Sequence, residues 1–164
     1  MRLTLRLLLA LLLLLPAPAI AAEWGHYANV RFGYAIDVPP GFVGRGESAN
    51  SDGQVFKSPT ATLTVWGMYL LDGTFEDQAR NRQTETAHDG WGISYSVSTP
   101  SNASFSGIKG GRIIYSRLIA LCGSAFAEFD FEYSRADLQK FNSIVDRLVR
   151  SLRGTQGSVA CPAQ

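Results

Sequence analysis

The sequence predicts an α+β domain, a β-sheet carrying helices, on three observations. Several runs alternate apolar with polar or small residues, two long β-rich runs are joined by a three-residue turn, and the chain closes on an amphipathic helix that must lie on a sheet. Alternation gives each strand one buried and one wetter face, whereas apolar residues recurring every three or four positions give a helix one buried stripe.

The first strand is RFGYAIDV. Phe32, Tyr34, Ile36 and Val38 share one face, and Gly33, Ala35 and Asp37 share the other. Pro39 and Pro40 remove two backbone donors and Gly41 frees the chain to turn, so the strand ends there. The polar, glycine-rich stretch from Gly44 to Gln54 reads as a loop, and Val55 to Lys57 as a short strand. From Thr60 to Leu70, Ala61, Leu63 and Val65 alternate with Thr60, Thr62, Thr64 and Trp66, which predicts a strand with one more polar face. Residues 72–88 lack alternation. Thr74 is placed to cap a helix there, with Asp77 supplying a carboxylate to its first turn, and the apolar stripe is thin: Phe75, Ala79 and Ala87.

Alternation returns in WGISYSVS, placing Trp91, Ile93, Tyr95 and Val97 on one face and Gly92, Ser94, Ser96 and Ser98 on the other. The stretch TPSNASFSG reads as a loop, with a glycosylation sequon at Asn102 to Ser104. Arg112 to Leu121 and Ala125 to Tyr133 form a hairpin about Cys122, Gly123 and Ser124. In its second arm Ala127, Phe129, Phe131 and Tyr133 face a core, while Glu128, Asp130 and Glu132 are expected to face water. The last helix carries Leu138, Phe141, Ile144, Val145, Leu148 and Leu152 as one stripe. Ser134 and Asp137 make a capping pair at its start, and Arg147, Arg150, Arg153 and Gly154 suit its end.

The first residues have the pattern of a secretory leader: Arg2 and Arg6, the apolar run Leu7 to Leu15, then Pro16, Pro18 and the small-residue site Ala19 to Ala21. The expected organisation is a signal peptide over 1–21, one domain over 22–154 and a tail over 155–164, with a secreted, periplasmic destination. An uncleaved anchor is the competing reading, since Leu3 to Ala22 is about long enough to span a bilayer. After cleavage no stable membrane span is expected. Removing Arg2 and Arg6 lowers Lys+Arg from 15 to 13 against 14 Asp+Glu, a formal charge of −1, and the charges are interspersed, which disfavours nucleic acid as a partner. Cys122 and Cys161 are the two cysteines of a chain routed to an oxidising compartment, so a disulfide between them is expected to tie the tail to the hairpin turn. A thiolate or redox site would want a CxxC pair or a nearby base, and neither is visible in the sequence.

Two stretches resemble the PsbP-like family, whose members include small secreted bacterial proteins. One comprises Gly33, Tyr34, Ile36, Pro39, Gly41 and Phe42, and the other Phe141, Ile144, Val145, Ser151 and Leu152. The family often has tryptophan where Phe42 stands and phenylalanine where Leu152 stands; both changes keep the apolar role. The resemblance implies an antiparallel sheet with helices on its faces, the α/β/α sandwich that this family shares with a Ran-binding import factor. It also implies binding or assembly work, not catalysis, and brings no catalytic or metal residues. Each matched residue has a packing explanation, so the resemblance speaks to fold before activity.

Candidate chemistry is sparse. His26 and His88 are the two histidines, far apart and without an HExxH pairing. His88 with Asp89 beside Trp91 is the better candidate, for a small hydrolase or metal-dependent enzyme, against the plainer reading of a polar turn between helix and strand. No GxSxG elbow occurs, and Asp37, Asp52, Asp72 and Asp89 sit in no loop with calcium-ligand spacing. Trp24, Trp66 and Trp91 with Tyr27, Tyr69 and Tyr95 could supply a stacking platform for a sugar or aromatic ligand. Trp66, Trp91 and His88 are the candidate contact residues, with Trp66 either exposed or covered by the first helix. The expected function is a non-catalytic secreted binding or accessory domain for a protein or envelope component, with no cofactor and no metal; the enzyme and the ligand-binding platform are its alternatives.

Overall fold

A computed structural model describes residues 23–155. The leader reading of 1–21, most of the tail and Cys161 lie outside the described residues. Among the described residues, ten strands and two long helices follow one another: β1 (Gly25–Asn29), β2 (Tyr34–Val38), β3 (Val43–Glu47), β4 (Gly53–Lys57), β5 (Ala61–Tyr69), α1 (Phe75–His88), β6 (Gly92–Thr99), β7 (Asn102–Lys109), β8 (Arg112–Leu121), β9 (Ala125–Ser134), α2 (Leu138–Ser151) and β10 (Arg153–Gly154). A 3₁₀ turn over Arg135–Asp137 leads into α2, with the Ser134 hydroxyl accepting from the Ala136 amide.

The large sheet is antiparallel throughout, in the order β3-β4-β5-β9-β8-β7-β6, and the small one runs β1-β2-β10. Its first hairpin closes tightly: the Gly33 amide bonds the Asn29 carbonyl at 3.0 Å, and Gly33 has φ +66°. After β2, Pro40 and Gly41 form the turn expected of them, with Gly41 at φ +78° and the Phe42 amide on the Pro39 carbonyl.

The small sheet and α2 cover one face of the large sheet. Tyr34, Ile36 and Val38 of β2 and Phe141, Val145 and Leu148 of α2 meet Leu63, Val65, Phe129 and Phe131 in the main core. Helix α1 covers the other face through Phe75 and Ala79, which pack on Phe105, Leu118 and Phe126. Thr74 caps α1 as expected: its hydroxyl accepts from the Asp77 amide and Asp77 reaches back to the Thr74 amide.

Five expectations are corrected. The first expected strand begins at Tyr34, not Arg31: Arg31, Phe32 and Gly33 lie in the turn that joins β1 to β2. Part of the Gly44 to Gln54 loop is the strand pair β3 and β4, held by the turn in which Ser48 and Asn50 donate to the Asp52 carboxylate. The serine-rich stretch after Thr99 is strand β7, where Ala103 and Phe105 are buried beneath α1 and the small residues between them conceal the pattern. A register irregularity between Ile93 and Tyr95 flips the second half of β6. Ile93 therefore packs towards α1, while Tyr95, opposite Ser106, and Val97, opposite Ser104, stand on the α2 face instead of sharing Ile93's. Helix α2 stops at Ser151, not at Gly154: Leu152 is extended, and Arg153 and Gly154 pair with Ala35 and Tyr34 of β2.

Candidate functional site

The largest surprise of the site lies under α1. Glu128 was expected to be wet; it is 0 % exposed, because α1 closes the face that alternation assigned to water. Arg82 reaches down from α1, and its Nε donates to both carboxylate oxygens of Glu128 at 3.2 and 3.0 Å. The same guanidinium bonds Glu85 at 2.6 Å and lies 3.7 Å from Asp130, which accepts from the Ser116 hydroxyl. Arg82 also lies over the Trp66 ring at 5.3 Å, so the helix half-covers Trp66. One cation is thus shared among three carboxylates. Burial, and then the neighbouring Asp130 charge, hold the Glu128 carboxyl well above the ordinary range despite Arg82. Burial raises Asp130 to about 6, against the lowering effect of its Ser116 bond. The sequence signal for this cluster is the thin apolar stripe of α1, which leaves the helix needing another anchor.

The His88 cluster resolves into a helix ending. His88 and Asp89 are exposed, Asp89 is the residue that ends α1, and its carbonyl accepts from Lys109 Nζ. That ammonium sits 6.0 Å above the Trp91 ring, fastening the helix end to β7. Three strands, β9, β8 and β7, separate β5, which carries Trp66, from β6, which follows Trp91. The other platform candidates are dispersed too: Trp24 stacks under Arg147 at 4.2 Å, Tyr27 meets Tyr34 and Phe56 edge-on, and Tyr69 meets Phe32. Among the described residues, no group of three or more His, Cys, Asp or Glu is placed to hold a metal ion, and no helix is long and apolar enough to cross a membrane.

The concave feature that sequence reasoning missed lies on the α2 face, where the small sheet and α2 leave β6 and β7 uncovered. A groove of about 420 Å³ runs there: Ile108, Ile113 and Tyr115 form its floor, and Leu138, Asn142 and Asp146 of α2 form its wall. Ile108 and Leu138 are large apolar side chains left exposed. Two residues beyond Tyr115, on the same face, Arg117 donates to Asn102 Oδ1 at 2.7 Å and Ser104 Oγ at 3.2 Å. No carboxylate among the described residues pairs with Arg117, and its Nε is buried without a hydrogen-bond partner. Burial lowers its pKa from the usual value, the mark of a cation short of compensation. The groove stays out of sight in the sequence because the bulge in β6 and strand β7 both had to be known first.

These elements define an α+β sandwich with a half-open sheet face and an apolar-floored groove, with Arg117 on the same face of the sheet beyond it. Among solved structures the chain is similar to cyanobacterial PsbP (CyanoP) from Synechocystis sp. PCC 6803, with a TM-score of 0.60 at 15 % sequence identity, covering 85 % of this chain and 96 % of that one. The likeness shows that the fold is PsbP-like, as the end motifs implied. No family model matches the chain, and no curated protein matches it.

Proposed function

We propose that the chain is an exported, non-catalytic binding or accessory domain that holds a protein or envelope partner in the groove between α2 and the floor of β7 and β8. The observation that carries this reading is the groove with exposed Ile108 and Leu138, and further along the same sheet face the half-buried, uncompensated Arg117. Apolar side chains of the partner fill the floor, and an anionic group completes Arg117. The leader pattern of residues 1–21 supports export.

The test is cross-linked affinity capture from the native envelope with the parent chain and the double variant Ile108→Glu, Leu138→Glu. Both positions are exposed, so the fold is retained and a groove-bound partner disappears from the variant. Equal capture by both would place the partner elsewhere. Activity towards a hydrolase substrate panel that vanishes in His88→Ala with Asp89→Ala would overturn the non-catalytic reading.

The tie between Cys122 and Cys161 belongs to the same proposal. No cysteine among the described residues is free. The chain leaves β10 beside the hairpin turn, since a Cβ on Gly154 would stand 3.4 Å from Leu121. A bridge with 38 residues between its ends is expected to contribute about 4 kcal/mol. Peptide mapping without reductant should recover the linked pair from exported protein; two free thiols would refute it.

A further inference from the structure

The two edges of the large sheet are treated differently. Edge strand β3 is five residues long, carries Arg45 and Glu47, and is distorted by Gly46 at φ +91° and an irregular register with β4. These are the devices that stop another strand from adding. Edge strand β6 is eight residues long and has no charged residue from Gly92 to Thr99; Pro100 falls beyond it, in the turn. Its one irregularity, at Ser94, precedes an unbroken run from Tyr95 to Thr99 paired regularly with β7 on the inner side. Tyr95 and Val97 are 48 % and 45 % exposed on the same face of that run.

We propose that edge β6 pairs with β6 of a second copy of this chain, antiparallel and centred on Ser96, so that the large sheet continues across a two-fold axis. The order of residues is self-complementary about that centre. Each Tyr95 faces Val97 of the partner subunit on one face of the joined sheet, an aromatic and β-branched cross-strand pair made twice. The strand itself brings no like charges together when two copies approach. The Lys109 and Asp89 end of one copy meets the neutral end at Thr99 to Ser101 of the other. A second copy fits this edge better than a charged peptide, since the run from Gly92 to Thr99 offers no charge to read one. The pairing buries apolar surface at Tyr95 and Val97, outside the groove floor, and does not rest on the function proposed above.

Sedimentation equilibrium of the mature chain, from micromolar to near-millimolar, should show a monomer–dimer equilibrium. Val97→Lys should weaken it by roughly tenfold or more with an unchanged circular dichroism spectrum, as a charge on the edge does. Ser96→Cys should form an intermolecular disulfide on oxidation, because the two-fold axis brings residue 96 against its own copy. Ser98→Cys should not, because its facing residue is Ser94; the parent chain run alongside accounts for Cys122 and Cys161. A monomer throughout the range, a dimer indifferent to Val97→Lys, or cross-linking through residue 98 in place of 96 would each overturn the proposal. A monomer that captures a foreign extended peptide on β6 would overturn it too.

Discussion

Arg82→Leu is expected to destabilise the domain by about 3–5 kcal/mol at pH 7, although Arg82 is a helix residue partly in contact with solvent. The variant keeps the aliphatic bulk of the side chain but strips Glu128 of both its hydrogen bonds in a site with no access to water. Glu128 must then stay charged and unpaired, or hold a proton that the unfolded chain gives up at pH 7. The deficit should shrink in acid, where the proton is cheap, and Arg82→Leu combined with Glu128→Leu should recover part of it. The parent has a related pH dependence, whose sign follows from Asp130. Its carboxyl titrates near 6 when folded and has an ordinary value of 3.8, so between these values the folded state binds the proton and the unfolded state does not. The stabilisation is complete below about 3.8 and is lost as pH rises through about 6, roughly 3 kcal/mol from this group, and Glu128 acts in the same direction. Urea unfolding at pH 4.5, 6 and 7.5 reads both effects. An Arg82→Leu deficit that is small and flat across that range would mean that the cluster does not anchor α1.

Local rules made much of the architecture legible. The Pro40 and Gly41 turn after β2, the Thr74 cap, the hairpin at Cys122 to Ser124 and the centre of the α2 stripe at Phe141, Val145 and Leu148 are each set by residues close in sequence, and each stands in the structure; the stripe's ends do not, with Leu138 exposed and Leu152 in extended chain. Long-range partners were not legible. Alternation in β9 correctly divided Phe129 from Glu128, but whether the second face was wet depended on α1, packed there from more than forty residues away. Strand β7 conceals itself because Ser104, Ser106 and Gly107 break up its apolar residues, and a single extra residue in β6 reversed two side chains that periodicity had placed together. The groove depends on both, so residues such as Ile108 and Arg117 had no local signature. The aromatic candidates carried a signature of burial instead, and most became packing partners: Trp66 under Arg82 and Trp91 under Lys109.

Phe141→Ala should cost about 3–5 kcal/mol, because the ring is 2 % exposed and sits at the one place where α2, β9 and the Pro40 turn converge. Its centroid is 5.3 Å from that of Phe131 and 5.1 Å from that of Tyr133, and Phe131 in turn meets Phe42, which follows the turn. Alanine leaves a void walled by rings that are fixed by strand pairing on both sides and cannot collapse into it. The loss is not spread evenly. Helix α2 holds the core through few side chains, and its end leads directly into β10, so loosening Phe141 should also release the pairing of Arg153 and Gly154 with β2. Hydrogen exchange in the variant should therefore show protection falling first in α2, β10 and β2, with the centre of β8 and β9 protected longest. Leu138→Ala, at an exposed position of the same helix, should change stability by less than about 1 kcal/mol while altering the groove wall. The contrast between the two variants separates the role of α2 as a lid on the core from its role as a wall of the site. Equal, small effects from both would mean that α2 is not seated on the sheet, and the groove would then have no wall.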